Sequence, residues 1–316
     1  MMKISSIQAN IKKQGYLLLD GGLATELESR NIILDTPLWS AQLLQTQPQV
    51  IKDIHKTYLE AGADCIITAS YQASFKGFYD QGIFRPEAEV LINRSVSLAM
   101  EARDEYMESE KVIKEFNPLV AASIGPYGAF LANGAEYHGS YNVSRDQLRA
   151  FHEDRWSILS ESGADLFACE TIPSFEEILV LSELLKEYPD TIAWMSFSCK
   201  DGRHIGDGTP ISECAALLKE NKNVLAVGVN CTAPRYVSSL IREILAAAPE
   251  MLVVVYPNSG EIYDGKSRRW EGTVDSETFG EAAGKWFFDG AKLIGGCCRT
   301  GPKHIKMIRK KLLNIL

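Results

Sequence analysis

Short apolar runs rich in β-branched residues alternate along this chain with longer stretches whose apolar positions recur every three or four residues. The first pattern fits buried strands and the second fits helices that turn one face inward. Eight runs read as strands, at 16–21, 63–70, 120–126, 166–171, 193–199, 225–231, 252–258 and 292–297. Helical patterns lie between them. In 48–61 the apolar face is Val50, Ile51, Ile54, Tyr58 and Leu59, and in 145–162 it is Leu148, Phe151, Trp156 and Leu159. Pro48 and Pro302 stand where helices begin, because proline fits the first helical turn. The phrases Ala61-Gly62-Ala63-Asp64 and Ser162-Gly163-Ala164-Asp165 each end a helix with glycine just before a strand, which predicts a repeated βα unit.

End-to-end alternation of strand and helix favours a parallel sheet over separate all-α and all-β domains. Eight βα units in a chain of 316 residues predict an α/β fold of one (β/α)8 TIM-type barrel, with 1–316 as a single domain. A doubly wound sheet is the second-ranked architecture. No linker rich in proline or glycine divides the chain. The irregular segment 125–142 follows the third strand, where a barrel carries an active-site loop.

Composition narrows the partners. The chain is 46% hydrophobic and 23% charged, with a formal net charge of −8 and a pI near 5.3. That balance excludes a general nucleic-acid footprint, which needs a clustered basic surface, and small molecules are the expected partners. No apolar run approaches the roughly 20 residues that span a bilayer. The start, Met1-Met2-Lys3-Ile4-Ser5-Ser6, lacks the apolar core of a signal peptide. A cytoplasmic location and no membrane association are therefore expected. Seven cysteines, unevenly spaced, are too few for a disulfide scaffold, and reduced thiols suit metal binding.

The chemistry collects at the carboxyl ends of the expected strands, which form the functional face of a barrel. Strand one ends in Asp20-Gly21-Gly22, strand two in Thr68-Ala69-Ser70-Tyr71-Gln72, and strand three in Ser123-Ile124-Gly125-Pro126. Strand four ends in Cys169-Glu170-Thr171, strand six in Asn230-Cys231, strand seven in Tyr256-Pro257-Asn258-Ser259-Gly260-Glu261, and strand eight in Cys297-Cys298. Cys231, Cys297 and Cys298 would meet at one mouth as three thiolates, a soft donor set that favours Zn2+ and leaves a fourth position open. They also read as ordinary buried thiols. Asp20 and Glu170 would face the same mouth and suit an ammonium group. Asp20-Gly21-Gly22 also reads as a turn needing positive φ, and Glu170 as the cap of a helix starting near Ser174. Cys65, Cys169, Cys199 and Cys214 are assigned to packing. Zinc on three thiolates is a weak Lewis acid for hydrolysis and a good activator of a substrate thiol, which loses its proton in the fourth position. The anionic donor set would attract a cationic electrophile such as a sulfonium. The helix beginning after Thr300 would bring its positive end beside Cys297 and Cys298.

With Asp20-Gly21-Gly22, Gly228-Val229-Asn230-Cys231 and Gly295-Gly296-Cys297-Cys298, the chain resembles the homocysteine S-methyltransferase family over essentially its whole length. The resemblance implies a (β/α)8 barrel, Zn2+, and methyl transfer to homocysteine to give methionine. It implies Cys231, Cys297 and Cys298 as the zinc ligands, and Asp20 and Glu170 as the acids that hold the homocysteine amino group. Gly21 and Gly22 would let backbone amides approach its carboxylate. Asn258 would be the resting fourth ligand, since Thr171 stands where some members carry a tyrosine. Betaine-using relatives extend beyond their cysteine pair with an oligomerising arm, for which Leu316 leaves no room. A sulfonium donor is expected, S-methylmethionine ahead of S-adenosylmethionine, with Tyr71 and Tyr127 offering aromatic faces to it. The alternatives are the homocysteine-binding half of a split cobalamin-dependent methionine synthase, and a redox-sensing thiol or zinc-binding barrel.

Overall fold

Side chains alternate inward and outward along each strand, as a closed sheet with a filled interior requires. The computed structural model describes residues 2–34, 38–109, 117–260, 262–264, 269–271 and 275–315. Eight strands form one sheet: β1 (Leu17–Leu18), β2 (Cys65–Ile67), β3 (Leu119–Ile124), β4 (Leu166–Ile172), β5 (Ala193–Phe197), β6 (Val224–Asn230), β7 (Leu252–Tyr256) and β8 (Ala291–Ile294). Each pairs in parallel with its chain neighbour from β2 to β8, and β8 pairs in parallel with β1. A parallel bridge between Leu19 and Cys65 closes the ring between β1 and β2. The expected (β/α)8 barrel is the fold.

Two apolar layers follow from the alternation. Leu17, Leu19, Cys65, Ala121, Leu166, Ala168, Trp194, Val254 and Leu293 fill the barrel. Leu18, Ile66, Val120, Phe167, Cys169, Met195, Val227 and Val255 face the surrounding helices. Each fully buried large aliphatic side chain contributes about 1.5–3 kcal/mol. Helices Pro48–Glu60 and Pro302–Leu313 begin at the expected prolines. Gly62 and Gly163 adopt φ of +108° and +88°, the left-handed geometry that glycine supplies after a helix. The repeated aspartates have a structural use as well. Asp64 Oδ2 accepts from Leu18 N at 3.0 Å and Asp165 Oδ2 from Val120 N at 2.8 Å, so each pins the start of the neighbouring strand.

Some elements went unread in the sequence, among them the short helix Tyr127–Leu131 inside the segment expected to be irregular. Helix Met2–Gln14 precedes the barrel, and its Ile7 and Ile11 join the interior cluster. An antiparallel hairpin, Ile262–Asp264 with Arg269–Glu271, follows β7. Glu261, at the expected end of strand seven, lies outside the described residues. Among the described residues, no helix is long and apolar enough to cross a membrane.

The segment after β3 is held by a buried polar clamp. Arg155 and His152 on helix Arg145–Glu161, and Glu177 on helix Phe175–Glu187, are all at most 1% exposed. Arg155 donates to Gly125 O and, at 2.7 Å, to His152 Nδ1. That leaves His152 Nε2–H to donate to Glu177 Oε1 at 2.7 Å. The same carboxylate oxygen accepts from Tyr127 N at 2.6 Å. Burial, with the Arg155 charge adding to it, lowers His152 to a pKa of about 4, so the ring stays neutral.

Candidate active site

Beyond their last paired residues, β1, β6, β7 and β8 stay in register through backbone hydrogen bonds. Gly296 N donates to Asp20 O at 3.1 Å, Cys297 N to Pro257 O at 2.8 Å, Ser259 N to Cys298 O at 3.0 Å, and Asn258 N to Thr232 O at 3.1 Å. This lacing brings cysteines 66 and 67 residues apart in sequence together. Cys231 Sγ lies 2.6 Å from Cys297 Sγ and 3.6 Å from Cys298 Sγ, and all three sulfurs fall within 4.8 Å of one another. Hydrogen bonds from Cys231 and then Cys297 hold Cys298 well below the ordinary thiol range. Contacts with Cys297 and then Cys298, with burial, push Cys231 well above it. Unaided, the cluster supports one thiolate steadied by two thiols. A soft divalent cation would let all three ionise, so the donor set fits zinc or another thiophilic ion.

Backbone strain marks the same place. Cys231 sits at φ +46° and Thr171, a β-branched residue, at φ +61°. Non-glycine residues in this region persist only where the surroundings hold them. At Thr171 the Asn230 side chain does the holding. Its Oδ1 accepts from Thr171 N at 2.7 Å and from Ser196 Oγ at 2.9 Å, while its Nδ2 donates to Thr171 Oγ1 at 2.7 Å. Ser196 Oγ and Trp194 Nε1 in turn reach Tyr256 OH, at 2.6 and 2.9 Å.

The acids line a cavity of about 140 Å³, whose wall includes the three cysteines. Asp20 is 4% exposed and Glu170 is 7% exposed. Asp20 Oδ2 accepts from Ile67 N at 2.8 Å, while its Oδ1 is buried with no partner. Glu170 Oε1 accepts from Ser123 Oγ. It does not cap the helix after Ser174, whose first amide, Phe175 N, donates instead to Asp207 Oδ2 at 2.7 Å. Burial pushes Glu170 up to about 8; the Ser123 hydrogen bond opposes the shift and the Cys297 charge adds to it. Burial likewise raises Asp20 well above the usual carboxylate range, with the Ile67 amide opposing and Glu170 adding. Two carboxylates strained in this way, one with an orphaned oxygen, make a receptor for a cation. Among the described residues lining the cavity there is no Lys, Arg or His.

Three sequence expectations change on contact with the structure. Gly21 and Gly22 do not take positive φ. They are glycines because a Cβ would sit 2.7 Å from Thr300 O at the first and 2.6 Å from Cys297 O at the second. The Gly22 amide already donates to Thr300 O at 2.9 Å. Tyr71 lines the cavity and Tyr127 does not. The Tyr127 ring packs instead against Phe151, Tyr141 and Phe130 at centroid distances of 5.0, 5.5 and 5.6 Å. Its expected place is taken by Tyr137, whose hydroxyl is pushed well above its usual pKa first by Cys231 and then by burial and Cys298. Tyr137 and its neighbour Glu136, on the short turn Ala135–Tyr137, both line the cavity. Neither was singled out in the sequence, although the loop carrying them was. Asn258 Oδ1 is buried without a hydrogen bond, beside the strand-end backbone that carries Cys297 and Cys298.

Comparison with known proteins agrees over the whole barrel. A family model described as homocysteine S-methyltransferase matches residues 17–312. Homocysteine S-methyltransferase YbgG of Bacillus subtilis is 48% identical over 306 residues, covering 96% of this chain and 97% of that protein. Homocysteine S-methyltransferase of Escherichia coli is 43% identical over 312 residues, covering 98% and 100%. The crystal structure of the homocysteine methyltransferase MmuM from Escherichia coli in its metallated form superposes with a TM-score of 0.87 at 41% identity, covering 96% of this chain and 99% of that one.

Proposed function

Starting from the premise that the chain belongs to the homocysteine S-methyltransferase family, we propose that it is a Zn2+-dependent enzyme that transfers a methyl group from a sulfonium donor, S-methylmethionine first, to the thiol of homocysteine. Cys231, Cys297 and Cys298 would hold the ion, with Asn258 Oδ1 as the resting fourth ligand. Bound zinc would supply one thing, acidification of the substrate thiol at neutral pH. The rest is the work of the chain. Asp20 Oδ1 and Glu170 take the homocysteine ammonium, and the Gly21 amide meets its carboxylate. Tyr71 and Tyr137 cover the sulfurs, exclude water and present ring faces to the donor cation.

In the transfer, a lone pair on the homocysteine sulfur forms the new S–CH3 bond. The donor's C–S bond breaks, and its electron pair stays on the donor sulfur, which becomes a neutral thioether. The thiol proton leaves to solvent. Orientation of the two sulfurs in line supplies much of the acceleration.

The observation that carries this reading is the cavity's charge. Asp20, Glu136, Glu170 and three cysteines line it, and none of its described residues is basic. Such a wall favours a cationic donor over an anionic folate. Methionine formation from homocysteine, with S-methylmethionine, S-adenosylmethionine, betaine and methyltetrahydrofolate supplied separately and zinc content measured alongside, tests it. Turnover with the sulfoniums alone is the expected result; turnover only with a folate and corrinoid system would replace this reading with the split synthase.

A further inference from the structure

The cavity holds more acid than one amino acid needs. Asp20 and Glu170, both buried, already line it. Glu136 is a third carboxylate in its wall, partly buried, on the turn beside Tyr137, which is 46% exposed. Tyr71 lines the same cavity as Glu136 and Glu170. Glu136 Oε2 is buried with no hydrogen-bond partner, and burial raises the carboxyl above its ordinary pKa.

Its position is not accidental to a floppy loop. Glu136 O accepts from Ser198 Oγ at 2.6 Å, and Tyr137 N donates to Gly134 O at 3.0 Å. A Cβ on Gly128 would lie 2.5 Å from Glu136 N, and one on Gly206 would lie 2.9 Å from Tyr137 O, so glycines on both sides let the turn press down. With the backbone of the turn held in this way and Oε2 buried and unpartnered, the Glu136 carboxylate is suited to a cation that arrives from outside.

We propose that Glu136 is the donor-recognition residue, accepting the α-ammonium of an amino-acid sulfonium once homocysteine occupies the inner pair. The inference rests on the sulfonium reading above. The ammonium is preferred to the sulfonium centre on energetic grounds. The sulfonium loses its charge in the transition state, so a carboxylate touching it would stabilise the ground state more and slow the reaction. A remote ammonium keeps its charge throughout, and its contact binds ground and transition states alike. Glu136 therefore acts on donor affinity and donor choice.

The test compares S-methylmethionine with its desamino analogue, dimethylsulfoniobutanoate, in wild type, Glu136→Gln and Glu136→Ala, with zinc content and homocysteine affinity measured in each. Wild type should use the desamino donor about tenfold to a hundredfold less efficiently in kcat/KM, the range for one lost hydrogen bond to a charged partner. In both variants the KM for S-methylmethionine should rise by that factor, more than kcat falls. The preference for the amino donor should shrink towards one. A preference that survives Glu136→Ala would overturn the proposal, as would a loss confined to homocysteine affinity. Absence of sulfonium turnover in wild type would remove the underlying reading first, before any substitution is made.

Discussion

At the scale of single residues, the site is made of groups held in states they would not choose alone. Glu170 is the plainest case, with a pKa raised to about 8 chiefly by burial, against about 4.3 in an unfolded chain. A carboxyl raised in the fold is protonated there while the unfolded chain is ionised, so its contribution to stability falls as pH climbs from about 4.3 to about 8. Glu170→Gln should therefore leave the substrate-free, metal-loaded protein as stable as wild type or more so at pH 8, by thermal melting. It should also raise the KM for homocysteine by about tenfold or more, because a charged hydrogen bond is lost. In wild type that KM should climb as pH drops through about 8, and the profile should flatten in the variant. Cys298→Ala should lower zinc to well below one per chain with the far-UV spectrum intact. Methyl transfer should fall by about a thousandfold or more, since a metal supplies several kcal/mol to such steps.

Elements decide where those residues stand, and the glycine of β6 is critical. A Cβ on Gly228 would overlap Val254 O on β7, so Gly228→Ala should cost about 1–3 kcal/mol by urea unfolding and disturb Cys231 three residues on. Asn230→Ala should cost a similar amount, about 1–3 kcal/mol, because it frees the strained backbone at Thr171 and leaves polar partners unpaired. All eight strands were legible, since runs such as 224–230 are apolar on both faces and bounded by turn residues. Their ends were overdrawn where the backbone leaves the ladder to enter the site, as at Ser70 and Cys199. Helix Met2–Gln14 escaped notice because its apolar residues sit among serines, lysines and glutamines. Cysteines and acids at strand ends could be placed from topology alone. Tyr127 and Tyr137 could not be told apart, because a loop has no period and a ring's direction depends on turns such as Ala135–Tyr137.

For the whole molecule, the metal would join the β6 and β8 ends of a barrel whose remaining closures are hydrogen bonds. A ligand that binds only the folded state stabilises it by about 4 kcal/mol at a thousandfold excess over Kd. Chelation of the zinc-loaded protein should therefore lower Tm by several degrees, readable by calorimetry and reversed by added zinc. The seam between β1 and β2 has a consequence of another kind. Asp20 spends Oδ2 on the Ile67 amide, across the junction where the ring closes, and keeps Oδ1 for the cavity. An ammonium on Oδ1 draws charge from the oxygen that Ile67 N–H donates to. That proton is thus a built-in reporter: its resonance should shift when homocysteine arrives, giving occupancy a direct spectroscopic signal without any label on the substrate.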